Sequence, residues 1–156
     1  MFKSNISFAE KQLLYYLPKA GKYYELNRNY SEDSSSNKTT SLLSPFIRYR
    51  LISEENVLKK VLEKYELRDC EKFVQEIFWR TYWKGWLEHR PSVYYDYLED
   101  RNKLIEELGN KKFYLNAISG NTNLSFFNKW VNTLKEDGYL HNCLLYTSDA
   151  ADDLRG

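Results

Sequence analysis

The chain has 156 residues, a length that suits one domain with a single core. Of these residues 42% are hydrophobic and 29% are charged, a balance typical of a globular protein rather than of a disordered one. The net charge of +1 points to neither a nucleic acid nor a membrane surface as a partner, and no apolar run is long enough to span a bilayer. Because no apolar signal sequence follows Met1, we expect a cytoplasmic protein.

The cysteine content argues against two kinds of site, and the aromatic content allows two roles for the rings. Cys70 and Cys143 are far apart and lack the spacing of zinc ligands, so we expect neither a disulfide nor a metal site. The chain carries 14 Tyr, 8 Phe and 4 Trp, an unusually high share. Aromatic rings either pack in a core or offer flat faces to a flat ligand, and composition alone favours the core.

Apolar residues at helical spacing predict a series of helices, and no alternating pattern predicts a sheet. Ser44 and Ser53 are suitable N-caps, while Gly109 and Gly138 are suitable stops. The predicted helices cover residues 8–17, 45–49, 54–66, 70–89, 94–108 and 125–137, with loops over residues 31–39 and 110–124. The sequence therefore predicts an all-α fold.

The predicted helix 70–89 is the most distinctive segment. We expect Asp69 to cap its start and Pro91 to follow its end. Its apolar residues form more than one narrow stripe, so we expect burial on more than one side. These residues are Phe73, Ile77, Phe78, Trp79, Tyr82, Trp83, Trp86 and Leu87. In the last helix, capped by Ser125, the residues expected to point inward are Phe126, Phe127, Trp130, Val131 and Leu134.

Three hydroxyl residues, Thr40, Ser41 and Ser44, stand just before and at a predicted helix start. Unpaired backbone N–H groups and the helix dipole make such a position suitable for phosphate oxygens. An ordinary N-cap after a Ser-rich loop explains the same residues, and it is the better explanation for this segment alone.

Glu76, Trp79, Arg80 and Trp83 fall one turn apart in pairs on the predicted helix 70–89. Glu76 and Arg80 can form an ion pair that adds about 0.2–0.5 kcal/mol. A carboxylate beside a Trp face and a guanidinium can also recognise a flat, phosphate-linked ligand, since bases stack on aromatic rings and Arg contacts phosphate. Taken singly, each of these residues is more often structural.

Residues 143–153, CLLYTSDAADD, resemble the translation of a transposon-end adapter used in shotgun sequencing libraries. We therefore expect residues 143–156 to be an artefactual, disordered tail. The remaining residues, 1–142, would be a partial domain.

Four motifs, in order, resemble the FAD-binding domain of the photolyase/cryptochrome family. They correspond to the family's Tyr preceding an Arg-Asn-aromatic stretch, its Thr-Ser-x-Leu-Ser-Pro element, its Glu-x-x-Trp-Arg helix and the start of its His-Asn element. The matching stretches are Tyr24-Glu-Leu-Asn-Arg28-Asn29-Tyr30, Thr40-Ser41-Leu42-Leu43-Ser44-Pro45, Glu76-Ile-Phe-Trp79-Arg80 and Gly138-Tyr139-Leu140-His141-Asn142. The resemblance implies a truncated part of that multi-helical FAD-binding domain.

The resemblance also implies roles for individual residues. Those expected around FAD, at its phosphates or beside it, are Tyr24, Thr40, Ser41, Leu43, Ser44 and Arg80. Those expected at a flipped pyrimidine dimer are Glu76, Trp79 and Asn142, as catalytic residues, with Phe73 near the same pocket. The implied activity is that of a deoxyribodipyrimidine photo-lyase acting on damaged DNA, in which photoexcited reduced FAD donates an electron to the dimer.

Two alternatives stay open. A cryptochrome-type photoreceptor would bind FAD without repairing DNA, and Glu76 and Trp79 favour the photolyase over it. A cofactor-free helical module that binds nucleic acid would show no flavin absorbance. Because the adapter-like tail replaces the segment after His141-Asn142, we expect this chain neither to hold FAD tightly nor to be active as it stands.

Overall fold

A computed structural model of the chain describes residues 5–30, 39–141 and 144. Within these residues every regular element is a helix and none is a strand, so the all-α prediction is confirmed for the described part. Asn142 lies outside the described residues, as does the predicted tail, residues 143–156, apart from Leu144. The elements in chain order are α1 Ile6–Tyr16, a 3₁₀ turn Leu17–Lys19, α2 Lys22–Asn27, α3 Ser44–Arg48, α4 Glu54–Leu62, α5 Leu67–Glu88, α6 Pro91–Leu108, α7 Lys112–Ser119 and α8 Ser125–Asp137.

The chain divides into two compact units, Met1–Tyr82 and Trp83–Gly156, called unit 1 and unit 2 below. The division falls inside α5. Each unit is described by itself.

Unit 1 has a hydrophobic core in which aromatic rings from α1, α2 and α5 meet. The ring of Tyr24 meets Phe73 edge to face, with centroids 5.0 Å apart, and the ring of Tyr16 stacks on Phe73 at 6.0 Å. Such pairs add about 0.5–1.5 kcal/mol beyond the burial of their area. The core also contains Ala9, Leu13, Leu43, Phe46, Ile47, Ile52, Val57, Val61, Cys70, Val74 and Ile77.

Polar side chains fix the starts of two helices in unit 1. Asn5 accepts a hydrogen bond from the N–H of Phe8 at 2.7 Å, and Ser53 accepts one from the N–H of Asn56 at 3.1 Å. Each bond satisfies an N–H group that the helix leaves unpaired. The predicted cap at Ser53 is therefore confirmed.

The predicted cap at Ser44 is wrong. Ser44 is the first residue of α3, its N-cap is Leu43, and no side chain caps the helix. Leu42 adopts a left-handed conformation with φ of 55°, and this turn brings the chain into α3 one residue earlier than expected. The hydroxyl of Ser41 accepts a hydrogen bond from the N–H of Leu43 at 3.3 Å instead.

Two helices were not predicted, α2 and α7. The predicted loop over residues 110–124 is wrong across the whole of α7, which ends at Gly120. This helix is short and has no side-chain cap, and it packs against α8. Its formation depends on that tertiary packing more than on local signals, which explains why the sequence pattern missed it.

Two further caps differ from the prediction. The helix α5 begins at Leu67, so Asp69 lies in its first turn, where a carboxylate favours the helix dipole, rather than at its cap. The N-cap of α8 is Leu124, and Ser125 is already helical. No side chain caps α8. The side-chain oxygen of Asn128 accepts instead from the N–H of Thr122 at 2.8 Å and from its hydroxyl at 2.7 Å, and these bonds hold the loop that precedes the helix.

The expected burial of α5 on more than one side is wrong. Cys70, Phe73, Val74 and Ile77 are buried, but four aromatic residues of its second half are more than half exposed: Phe78, Trp79, Tyr82 and Trp83. In α8, the expected inward positions Phe126 and Leu134 are also about half exposed. No hydrophobic side chain among the described residues of unit 2 is buried. A helical apolar pattern reveals which face can be buried, but not whether a partner covers it.

No helix in the described ranges combines the length and the apolar character that crossing a bilayer requires.

Candidate functional site

A polar cluster at the edge of the unit 1 core joins the first and the third of the four motifs that carry the family resemblance. The hydroxyl of Tyr24 donates a hydrogen bond to Oε2 of Glu76, and Nη1 of Arg28 pairs with Oε1 of the same carboxylate. Tyr24 lies on α2, and Arg28 lies one turn later, at the C-cap of that helix. Glu76 lies in the middle of α5. Both oxygens of Glu76 are therefore bound by donors from a segment about 50 residues earlier in the chain.

The cluster is buried at Tyr24 and opens to solvent at its charged end. Tyr24 is 6% exposed, while the side chains of Arg28 and Glu76 are each 26% exposed. Burial of Tyr24 raises the pKa of its hydroxyl, and the hydrogen bond to Glu76 and the negative charge there raise it further. Tyr24 is consequently a proton donor to Glu76 throughout the neutral range.

A second ion-pair group surrounds Arg80, one turn after Glu76 on α5. Its Nε lies 3.5 Å from Oε1 of Glu54, and Nη1 of Arg50 lies 3.1 Å from Oε2 of that carboxylate. The Arg80 Nε is buried and has no hydrogen-bond acceptor among the described residues, because the long contact with Glu54 lacks hydrogen-bond geometry. The simple Glu76–Arg80 ion pair considered from the sequence does not form, since each residue pairs with a different partner.

The hydroxyl-rich segment before α3 is connected to the first motif by hydrogen bonds. The hydroxyl of Thr39 donates to the carbonyl of Tyr30 at 2.7 Å, and the hydroxyl of Tyr16 donates to the carbonyl of Thr39 at 2.6 Å. Gln12 Nε2 also donates to the carbonyl of Ser41 at 2.8 Å. These bonds fix the backbone of the segment against α1 and the end of α2.

The predicted cofactor residues of this segment differ in exposure. Thr40 and Ser41 are half-buried and Ser44 is exposed. Leu43 is 1% exposed and belongs to the hydrophobic core, so its side chain packs inward. The backbone around Leu43, rather than its side chain, is thus the part able to line a ligand.

The predicted substrate residues also fall in different environments. Phe73 is 3% exposed and lies against Tyr16 and Tyr24 in the core. Trp79 is 52% exposed and offers its ring to solvent. Glu76 lies between them in the sequence and at the boundary of the core, while Asn142 lies outside the described residues.

The structure thus brings Tyr24 and Glu76 into direct contact and places Arg80 one turn from Glu76. Three residues of these clusters are not among the predicted site residues: Arg28, Arg50 and Glu54. Tyr24 and Arg28 are four residues apart in the first motif, and on a helix that spacing places both side chains on one face, which is the signal that points to Arg28. Glu54 gave no signal beyond that of a helix N-terminus.

A cavity of about 320 Å³ lies between α1 and α4. Its walls combine apolar residues of the core with charged residues of opposite sign. The lining residues are Glu10, Leu13, Leu14, Ile52, Asn56, Lys59, Lys60 and Glu63. None of them belongs to the predicted site.

In unit 2, the motif at residues 138–142 contributes one buried polar residue. His141 is 8% exposed, and burial lowers the pKa of its imidazole. Across the described ranges, no group of three or more His, Cys, Asp or Glu residues is arranged to hold a metal ion.

No protein-family model matches the chain, and neither a curated protein nor a solved structure matches it.

Proposed function

We propose that residues 1–142 derive from a light-dependent, photolyase-type flavoprotein that repairs pyrimidine dimers in DNA. The observation that carries the proposal is the contact of Tyr24 and Arg28 with Glu76. The first and third resembling motifs supply these residues, and they are far apart in the chain. Motifs that serve one ligand are expected to lie together, and Thr39, the residue before the second motif, donates a hydrogen bond to Tyr30, the last residue of the first motif.

The described residues suit an anionic, phosphate-bearing cofactor such as FAD. The buried Nε of Arg80 lacks an acceptor, and a buried donor left unpaired costs about 1–3 kcal/mol. An oxygen of a bound cofactor would remove this cost. Arg28 adds N–H donors on a partly exposed side chain, and Thr40 and Ser41 are half-buried hydroxyl residues of the same unit.

Each residue would then have a distinct task. Tyr24, Thr40, Ser41 and the backbone at Leu43 and Ser44 would hold the phosphates, and Arg80 would lie beside the cofactor. When bound, the flavin would supply the electron that splits the dimer. Glu76 would hydrogen-bond the flipped base, and the exposed ring of Trp79 would stack on it, as aromatic rings do on extruded bases.

Flavin binding is the first test. The 156-residue chain and a longer chain that continues past Asn142 in the natural reading frame would be purified in the dark and titrated with FAD, using flavin fluorescence. We expect weak binding by the shorter chain and a visible flavin spectrum from the longer one. Tyr24→Phe should weaken binding, whereas the neighbouring Tyr23→Phe is the matched control. Folded protein with no affinity for FAD in either chain would contradict the proposal.

Repair is the second test and separates the photolyase from a cryptochrome. The longer chain would be illuminated with an oligonucleotide that contains a thymine dimer, and dimer loss would be measured. We expect Glu76→Ala to reduce repair by roughly tenfold or more, because a hydrogen bond to a charged group contributes about 1.5–3 kcal/mol. Flavin binding without any repair would favour the photoreceptor, and folded protein without flavin would favour the cofactor-free helical module.

A further inference from the structure

Tyr24 and Arg28 form a pair of donors that converge on one anion. The tyrosine hydroxyl and the guanidinium bind different oxygens of the Glu76 carboxylate, and both come from the same turn of α2. Arginine and hydroxyl donors in this arrangement are suited to carboxylates and phosphates. The anion now bound is a side chain of the protein itself.

We propose that Glu76 is an internal competitor that occupies the Tyr24–Arg28 donor pair until an external phosphate group displaces it. The site would therefore be closed by the protein's own carboxylate when no ligand is bound. This inference rests on the geometry of the three residues and not on the flavin proposal.

The first support is that Arg28 is partly exposed and that its donors are only partly used. The contact with Glu76 uses Nη1 of Arg28, and no other described residue bonds to the guanidinium. Arginine carries further N–H donors in a fixed fork, and the Arg28 side chain is 26% exposed. An anion from solvent can thus approach Arg28, the exposed member of the pair.

The second support is that the surroundings offer more donors than a carboxylate can satisfy. Both oxygens of Glu76 are already bound, and the contact uses Nη1 of Arg28 alone, so the other N–H groups of that guanidinium have no acceptor on Glu76. A phosphate group has additional oxygens, so it can serve donors that Glu76 leaves unpaired. This favours phosphate over a second carboxylate as the external ligand.

The third support is the charge of the two ion-pair groups. Their three arginines, Arg28, Arg50 and Arg80, exceed their two glutamates, Glu54 and Glu76, by one positive charge. When Glu76 turns into solvent, its negative charge leaves Arg28. The vacated donors are then strongly favourable for an incoming anion, in a region where Tyr24 is shielded from water.

The test is a calorimetric titration of the full chain with pyrophosphate at fixed ionic strength. Glu76→Gln keeps the shape of the competitor and removes its charge, so we expect pyrophosphate to bind about tenfold more tightly than to the unaltered chain. Adding Tyr24→Phe or Arg28→Gln to Glu76→Gln should abolish that gain. Equal affinity of Glu76→Gln and the unaltered chain, or a gain that survives both additions, would overturn the proposal.

Two further arms make the result specific. In the first, a short thymidine oligonucleotide replaces pyrophosphate. Tighter binding of the oligonucleotide would identify a nucleic-acid backbone phosphate as the ligand, and tighter binding of pyrophosphate would identify a cofactor phosphate. If Glu76→Gln fails to fold, as judged by circular dichroism, Glu76→Asp shortens the competitor while keeping its charge, and tighter pyrophosphate binding is again expected. Pyrophosphate binding without affinity for FAD would uphold this inference and reject the flavin proposal, so the two fail separately.

Discussion

The Nε of Arg80 lies 3.5 Å from Oε1 of Glu54, yet this buried nitrogen has no hydrogen-bond acceptor among the described residues. Glu54 also binds Arg50, and it lies in the first turn of α4, where a carboxylate interacts favourably with the helix dipole. One glutamate therefore compensates two guanidinium groups, and one of these groups is incompletely satisfied.

This asymmetry predicts that the two partners differ in their effect on stability. Glu54→Gln should lower the free energy of unfolding by about 1–3 kcal/mol, because it leaves two guanidinium groups without their carboxylate. Arg80→Met should cost clearly less, because it removes the unsatisfied donor and keeps the apolar stem. Urea unfolding monitored by tryptophan fluorescence measures both. A larger loss for Arg80→Met than for Glu54→Gln would contradict this account.

Tyr24 predicts a loss of stability at high pH. Its pKa is raised by burial and by Glu76, so the unfolded chain releases this proton at a lower pH than the folded chain does. The folded state then binds more protons, and the free energy of unfolding falls as the pH rises through about 10. The Tyr24→Phe variant should be less stable than the unaltered chain at pH 8, by about 1–2 kcal/mol. Its free energy of unfolding should, however, fall less than that of the unaltered chain between pH 8 and pH 10.5.

The measurement is urea unfolding of both chains at the two pH values. Tyr23→Phe is the matched control, since Tyr23 is only half-buried and should behave as the unaltered chain does in both buffers. Parallel pH profiles for the unaltered chain and Tyr24→Phe would show that Tyr24 does not carry the effect.

Gly120 and Gly138 end α7 and α8 in the same left-handed conformation, with φ of 74° and 65°. A Cβ at Gly120 would lie 3.0 Å from Oδ1 of Asn132 and 3.3 Å from the carbonyl of Asn128, whereas a Cβ at Gly138 would meet nothing within 4 Å. Both alanine variants carry a backbone strain of about 1–2 kcal/mol. Gly120→Ala should therefore lower the melting temperature more than Gly138→Ala. Equal melting temperatures would mean that the contacts at Gly120 relax freely.

Gly85 lies inside α5, and a Cβ there would meet nothing within 4 Å. Because glycine lowers helix stability relative to alanine, Gly85→Ala should raise the free energy of unfolding by about 0.5–1 kcal/mol. The contrasting variant is Gly109→Ala, whose Cβ would lie 2.4 Å from the carbonyl oxygen of Ile105 and should destabilise. Thermal unfolding by circular dichroism distinguishes them, and a lowered melting temperature for Gly85→Ala would indicate that something packs there.

The sequence predicted the helices that carry strong local signals. Ser53 caps α4 as expected, and Gly138 ends α8. The helices α2 and α7 are short and depend on packing, so periodicity did not reveal them. Periodicity also did not predict the burial of α5 correctly. Trp79 and Trp83 have the pattern of a core helix but are each more than half exposed.

The candidate site was predictable in its residue types and not in its pairings. The motifs predict Tyr24, Glu76 and Arg80 as site residues. In unit 1, Tyr24 contacts Glu76, and Arg80 belongs to a second ion-pair group one turn later on α5. That Glu76 pairs with Arg28 rather than with Arg80 follows from how α2 packs on α5, which is a long-range relationship that no local spacing encodes.

The contact between Tyr24 and Glu76 has a consequence for the order in which the chain can fold during its synthesis. The two residues are 52 positions apart, and translation at about 5–20 residues per second needs roughly 3–10 s to cover that distance. Until α5 emerges, the rings of Tyr16 and Tyr24 have no Phe73 to pack against, so the nascent N-terminal segment exposes aromatic surface to chaperones throughout this interval.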